Sequence, residues 1–117
     1  MHSMIDQAYI DIEKYREAKD IKGKYKPTLV PGLGSLIKAI SKVREFGITK
    51  YNDPDNWKRV PVEHYRDAMA RHMIAYLENP QSRDKESGLP HLWHCACNIA
   101  FLLYLEVWDD IHNNLYL

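Results

Sequence analysis

Apolar residues recur along most of this chain at helical rather than strand spacing. Over 5–19, Ile5, Ala8, Tyr9, Ile12 and Tyr15 share one stripe between charged positions, which predicts a first helix. A basic stretch from Asp20 to Pro27 follows, broken by Gly23 and Pro27, and with 28–34 it predicts turning or extended backbone. Ser35 suits an N-cap. A second helix is expected from there to about Phe46, with Leu36, Ile40 and Val43 inward and Gly47 as its stop. Residues 47–60 are rich in turn formers yet hold Tyr51 and Trp57, the pattern of a surface loop that carries a site. Pro61 fits the first turn of a third helix, expected to about Glu78 on the spacing Tyr65, Ala68/Met69, His72/Met73, Tyr76/Leu77 and ended by Asn79-Pro80. After a polar loop over 81–88, Pro90 opens a last helix whose apolar face, Leu92, Cys95, Ala96, Ile99, Leu102 and Leu103, continues to about Trp108.

No segment of convincing length has strand period, and there is neither repeat nor low-complexity tract. The expected fold is therefore all-α: a single domain over 1–117, a small bundle of about four helices. Aromatics continue to the end of the chain at Trp108 and Tyr116, and helices this apolar exceed what one small bundle hides, so a homo-oligomer, dimer or tetramer, is expected.

Composition fits that picture: 45% hydrophobic and 27% charged residues describe an ordinary globular domain and exclude a disordered one. Sixteen basic and sixteen acidic side chains leave no net charge, which argues against a generic nucleic-acid binder. The balance is uneven along the chain. Residues 1–60 carry a basic excess of four, residues 61–117 an acidic excess of four, and five of the six histidines lie in the second half. No run approaches a membrane span and the start lacks the pattern of a signal peptide, so a cytoplasmic location is the expectation, with no membrane partner. Cys95 and Cys97 are too close for an ordinary disulfide and match no zinc or redox spacing, which predicts reduced, buried thiols.

The main chemical oddity is His91, His94 and Asn98, which helical spacing sets on one side of the most apolar helix. Two imidazoles one turn apart suit a divalent metal or a phosphate; the same stripe also suits packing against polar groups of a neighbour. Just upstream, Asp84 and Glu86 are either caps of the helix N-terminus or hard oxygen ligands for Mg2+ or Mn2+. His72 lies on an apolar stripe beside Arg71, as a satisfied core histidine does, unless it meets His91 or His94 across the bundle. Around Gly47, Glu45 offers a carboxylate, Lys50 a phosphate contact, and Tyr51 and Trp57 rings that stack on a base; an ordinary helix end pinned by aromatics reads the same way.

Taken in order, Arg44-Glu45-Phe46-Gly47, Lys50-Tyr51, Asn56-Trp57, Tyr65 with Ala68, Arg71-His72 and Glu86-Ser87-Gly88-Leu89-Pro90-His91 with His94 and Asn98 resemble a phage-associated family, the dATP/dGTP diphosphohydrolases (MazZ-like), related to the all-α MazG-type nucleotide pyrophosphohydrolases. The resemblance runs from about Lys22 to Glu106, and its most specific part is the Glu86 to His94 block. It implies metal-dependent hydrolysis of purine (deoxy)nucleoside triphosphates to monophosphate and pyrophosphate, with Mg2+ or Mn2+, in an infected bacterial cell. It further implies Glu45, Asp84, Glu86 and His91 as catalytic residues, these four and His94 as metal-facing groups, and Lys50, Tyr51, Trp57, Arg71, His72, His94 and Asn98 as substrate contacts. One departure stands out. The broader superfamily holds its metals with an ExxE on one helix and an ExxD on the next; this chain has no ExxE, and Glu106-Val-Trp-Asp109 lies at the far end of the last helix. A small nucleotide-binding or host-interaction module without turnover, or a structural oligomer with the His/Asn stripe as its interface, are the competing readings.

Overall fold

The computed structural model describes residues 23–107. The helix expected over 5–19, and Trp108 and Tyr116 on which the oligomer expectation leans, lie outside the described residues. The chain divides at Pro31/Gly32 into two compact units. Of the first, the described part holds one 3-10 turn, Pro27–Leu29, closed by Val30 N–H donating to the Pro27 carbonyl at 3.0 Å.

Among the described residues the second unit contains three α-helices: α1 (Leu33–Tyr51), α2 (Val62–Glu78) and α3 (His91–Leu102), the last running on as a π-helical turn over Leu103–Val107. Among the described residues there is no strand, only one isolated antiparallel bridge between Arg83 and Pro90. α3 packs against both α1 and α2, and the two outer helices are held together mainly through it. The all-α class is as expected.

Three helix details differ from expectation. α1 starts before Ser35, with Gly32 in the left-handed region at its N-terminus, and it continues through Gly47 to a left-handed Asn52 whose N–H donates to the Ile48 carbonyl at 2.7 Å. Glycine is a poor helix former but does not stop a helix whose neighbours propagate it, and Asn is the other residue that tolerates left-handed backbone. The buried side of α1 is Ala39, while Leu36 stays exposed; Leu77 of α2 is exposed as well.

The third difference turns part of the expected inward face of α3 outward. Leu92, Ile99 and Leu103, expected in the core, are 43–58% exposed, whereas His94 and Asn98, the polar stripe, are only 8% and 7% exposed. Among the described residues the rest of the core is Ala39, Tyr65, Cys95, Cys97 and Leu102. Cys95 and Cys97 are free and buried as expected; burial pushes the Cys97 thiol up to about 11, so it stays protonated at neutral pH. Hydrophobicity normally decides which face of a helix turns inward. Here two polar side chains are buried instead, each with hydrogen-bond partners, and no described buried side-chain polar atom lacks one.

Candidate functional site

What the polar stripe faces is a cleft of about 440 Å³, walled by α1, the loop 52–61, α2, the loop 79–90 and α3. Its two ends differ in chemistry. At one, Asp84, Glu86, His72, His94, Lys50 and Arg71 line the wall; at the other, Trp57, Tyr65, Phe101 and Arg44 do.

Asp84 is set by a tightly closed loop. Its N–H donates to the Leu89 carbonyl at 2.8 Å, Gly88 N–H donates back to the Asp84 carbonyl at 2.8 Å, and Ser87 N–H donates to Asp84 Oδ2 at 2.8 Å. The return needs Gly88 at φ +74, a conformation that side chains disfavour. Burial would raise the Asp84 pKa, but the Ser87 N–H and hydroxyl outweigh it and hold the carboxyl below its ordinary value. The side chain remains an anion, about a quarter exposed to the cleft.

Three histidines gather beside it. His72 Nδ1 lies 2.8 Å from His91 Nδ1, so one ring donates and the other accepts, and the His72 ring stacks on His94 with centroids 4.4 Å apart and 10° between planes. His94 Nε2 is 2.7 Å from the Ser87 hydroxyl, which itself accepts the Leu89 N–H, and 4.0 Å from Asp84 Oδ2. Burial first, then the neighbouring His94, pushes His72 down to about 4; burial likewise lowers His94. Both rings are neutral at pH 7, the form in which imidazole binds metals.

One group of donors converges closely enough for a single ion: ligand atoms of His72, Asp84 and His91 all lie within 4.8 Å of one another. Two nitrogens under 3 Å apart fit adjacent positions around an ion whose metal–nitrogen bonds are about 2.1 Å. Two imidazoles and one carboxylate suit a transition ion such as Mn2+ better than Mg2+, which favours oxygen ligands and its own waters.

The residues expected to face metal are thus regrouped. Asp84 and His91 are together, and His72, expected as a substrate contact, joins them; His91 reaches the group from behind His72 and is not on the cleft wall itself. Glu86 lines the wall but is paired with Lys50 at 2.7 Å, a contact that raises the Lys50 pKa. His94 is engaged by Ser87. Glu45 is absent from the wall: it is exposed and lies 3.5 Å from Lys42. At about 100° per residue, Val43, Arg44, Gly47, Lys50 and Tyr51 share the face of α1 that lines the cleft, and Glu45 falls on the opposite face. Lys50, Tyr51, Trp57, Arg71, His72, His94 and Asn98, the expected substrate contacts, all line the cleft. Of the departure motif, Glu106 bonds Arg66 through Nε at 2.9 Å, at the far end of α3 from the histidines, and Asp109 lies outside the described residues.

The other end is built by packing. Trp57 stacks on Phe101 with centroids 4.9 Å apart and meets Tyr104 edge-on at 5.1 Å, and the Arg44 guanidinium sits 5.8 Å from Trp57 and 5.4 Å from Phe101. Two hydrogen bonds fix the loop that delivers Trp57: Arg44 Nη2 donates to the Pro54 carbonyl at 2.6 Å, and the Tyr65 hydroxyl donates to the Trp57 carbonyl at 2.6 Å. Burial pushes the Tyr65 phenol up to about 12, so that donor keeps its proton. Arg44, Tyr65 and Phe101 line the cleft and Ser87 holds His94 and Asp84, and the sequence reading did not single out these four as site residues. For Arg44 and Tyr65 the available signal was their place in the quoted motifs; Phe101 had only its helical register, seven residues after His94.

Residues 14–113 match the family described as "dATP/dGTP diphosphohydrolase, N-terminal". A curated protein named dATP/dGTP diphosphohydrolase, from Salmonella phage PMBT28, is 33% identical over 66 residues, which cover 56% of this chain and 22% of that protein. The matched part therefore spans less than a quarter of that relative's length. No solved structure matches. No helix among the described residues is long and apolar enough to cross a membrane.

Proposed function

Because the chain belongs to the dATP/dGTP diphosphohydrolase family, we propose that its cleft binds a purine (deoxy)nucleoside triphosphate and hydrolyses it to the monophosphate and pyrophosphate. The observation that carries the reading is the cleft's two-ended construction: convergent metal donors with Lys50 and Arg71 at one end, aromatic rings at the other. A triphosphate needs cations and metal; a base needs a flat apolar surface.

In this reading His72, Asp84 and His91 hold a divalent ion, with Mn2+ favoured by the donor set over Mg2+. Once bound, such an ion supplies charge neutralisation for the phosphates and acidity to nearby water. The chain's own groups do the rest. Lys50 leaves Glu86 for a phosphate oxygen, and Arg71 takes another. Water adds to the α-phosphorus as the bond to the β-phosphate bridging oxygen breaks, and the pyrophosphate leaves with its charge held by these two cations. His94, neutral and oriented by Ser87, accepts the water's proton. The Trp57 end holds the purine. The same reading makes the protein a cytoplasmic enzyme of the infected cell and a homo-oligomer, to which the exposed apolar residues Leu92, Ile99 and Leu103 lend support.

The test is a screen of purified protein against the eight common nucleoside triphosphates with Mn2+, with Mg2+ and with chelator, separating mono- from diphosphate products. Metal-dependent monophosphate and pyrophosphate from a purine substrate is the expected result. Binding without turnover would favour a non-catalytic nucleotide-binding module instead.

A further inference from the structure

We propose that Asn98 recognises the 3′-hydroxyl of the nucleotide's sugar, accepting its hydrogen bond on Oδ1 midway along the cleft. The assignment rests on the nucleotide reading of the cleft given above.

The amide's orientation follows from its one internal bond. Asn98 Nδ2 donates to the His94 carbonyl at 2.9 Å, and because a carbonyl can only accept, the nitrogen must take that side and Oδ1 the other. Asn98 is only 7% exposed, yet it lines the cleft. Among the described residues no donor is directed at Oδ1, and no buried side-chain polar atom is without a partner, so this oxygen opens onto the cleft. A ligand that fills the cleft strips water from that acceptor and must replace it with a donor, or lose affinity.

Position names the donor. His94, Asn98 and Phe101 occupy one face of α3 at i, i+4 and i+7, spanning about 10 Å along the axis. His94 belongs to the group with Asp84, and Phe101 to the stack with Trp57. A nucleotide with its phosphates at the first and its base at the second has its sugar opposite Asn98. The N–H groups of a purine would lie about one turn further on, beside Phe101. The sugar hydroxyl that remains in a deoxynucleotide is the 3′ one, and it is a donor.

The experiment uses the full chain and one deoxypurine triphosphate in four forms: 3′-hydroxyl, 3′-amino, 3′-hydrogen and 3′-fluoro. The hydroxyl and amino forms can donate to Oδ1, whereas the other two cannot. We expect kcat/KM for the hydrogen and fluoro forms to fall on the order of 10- to 100-fold, with the amino form close to the hydroxyl. Asn98→Ala should bring the hydroxyl-to-hydrogen ratio to about one while keeping the wild-type circular dichroism. Should that variant fail to fold, the wild-type series by itself decides. Equal use of all four forms by the wild type would overturn the proposal, and so would an Asn98→Ala protein that keeps the wild-type ratio. If no triphosphate is turned over, the four Kd values replace kcat/KM: a preference for the donating forms supports Asn98 while the hydrolase reading falls, and no binding of any form overturns both.

Discussion

The two ends of the cleft are made by different physics. At the Asp84 end, side chains from α2, one loop and α3 are held by specific hydrogen bonds: His72 to His91, His94 to Ser87, Ser87 N–H to Asp84. At the Trp57 end, rings from the 52–61 loop, α2 and α3 are held by stacking, with Arg44 and the Tyr65 hydroxyl fixing the loop. Hydrogen-bonded charges depend on the identity of single atoms, so the first end should fail abruptly when one is removed. Aromatic packing depends on area, and the second end should weaken in proportion to the area lost.

The largest expected effect lies at the first end. Asp84→Ala should lower kcat/KM by on the order of 100-fold or more, and should abolish the rise in melting temperature that Mn2+ gives the wild type. Both are read on one preparation, by pyrophosphate release and by thermal melt; a variant that keeps its Mn2+ shift would put the ion elsewhere. Trp57→Ala should do less and do it differently. Loss of base stacking costs about 1–3 kcal/mol, so KM should rise roughly 10-fold or more while the Mn2+ shift survives, and Trp57→Phe should recover much of the loss. Equal damage to Mn2+ binding by both variants would erase the distinction between the ends.

A pH titration of the metal-free protein separates them again. The folded-state pKa of His72 is lowered to about 4 from 6.5, so between those values the unfolded chain binds more protons than the folded one. The stability contributed by this group is fully present above about pH 6.5 and is lost as pH falls toward 4; His94, lowered too, acts in the same sense. Melting temperature should therefore drop across that window. The drop should flatten in His72→Gln but not in Trp57→Ala, and an unchanged slope in His72→Gln would contradict the assignment. The smallest effect is expected at Gly47, which interrupts the propensity of α1 where that helix lines the cleft; a Cβ there would meet no protein atom within 4 Å. Gly47→Ala should stabilise the fold by up to about 1 kcal/mol in chemical denaturation, and should raise KM by narrowing the ligand's space.

The contrast between the ends also explains what the sequence disclosed. His91, His94 and Asn98 could be placed together because a single helix sets their spacing, and Asp84 and Glu86 lie just upstream in sequence. That His72 meets them depends on how α2 crosses α3, which no local pattern encodes; its apolar neighbours made it look like a core histidine. The inward face of α3 was misread for a related reason. Leu92 and Ile99 mark it by hydrophobicity, but the cleft requires His94 and Asn98 inside, and Leu92, Ile99 and Leu103 take the outer side. Glu45 was carried by its place in a motif beside Arg44, but it falls on the face of α1 opposite the one that Val43, Arg44, Gly47 and Lys50 present to the cleft. At the aromatic end Trp57 was legible as a large ring in a turn-rich loop, whereas Phe101, on another helix, carried no signal beyond its helical register.

The most direct test of a metal–phosphate end opposed to a base end is paramagnetic broadening by Mn2+, followed by NMR with a deoxypurine triphosphate analogue whose α,β bridge resists hydrolysis. The His72 and His91 imidazole signals should vanish at the lowest Mn2+ additions, while the Trp57 indole signal moves with the nucleotide and survives longest. Broadening centred near Glu45, or equal loss of the histidine and Trp57 signals, would contradict the account.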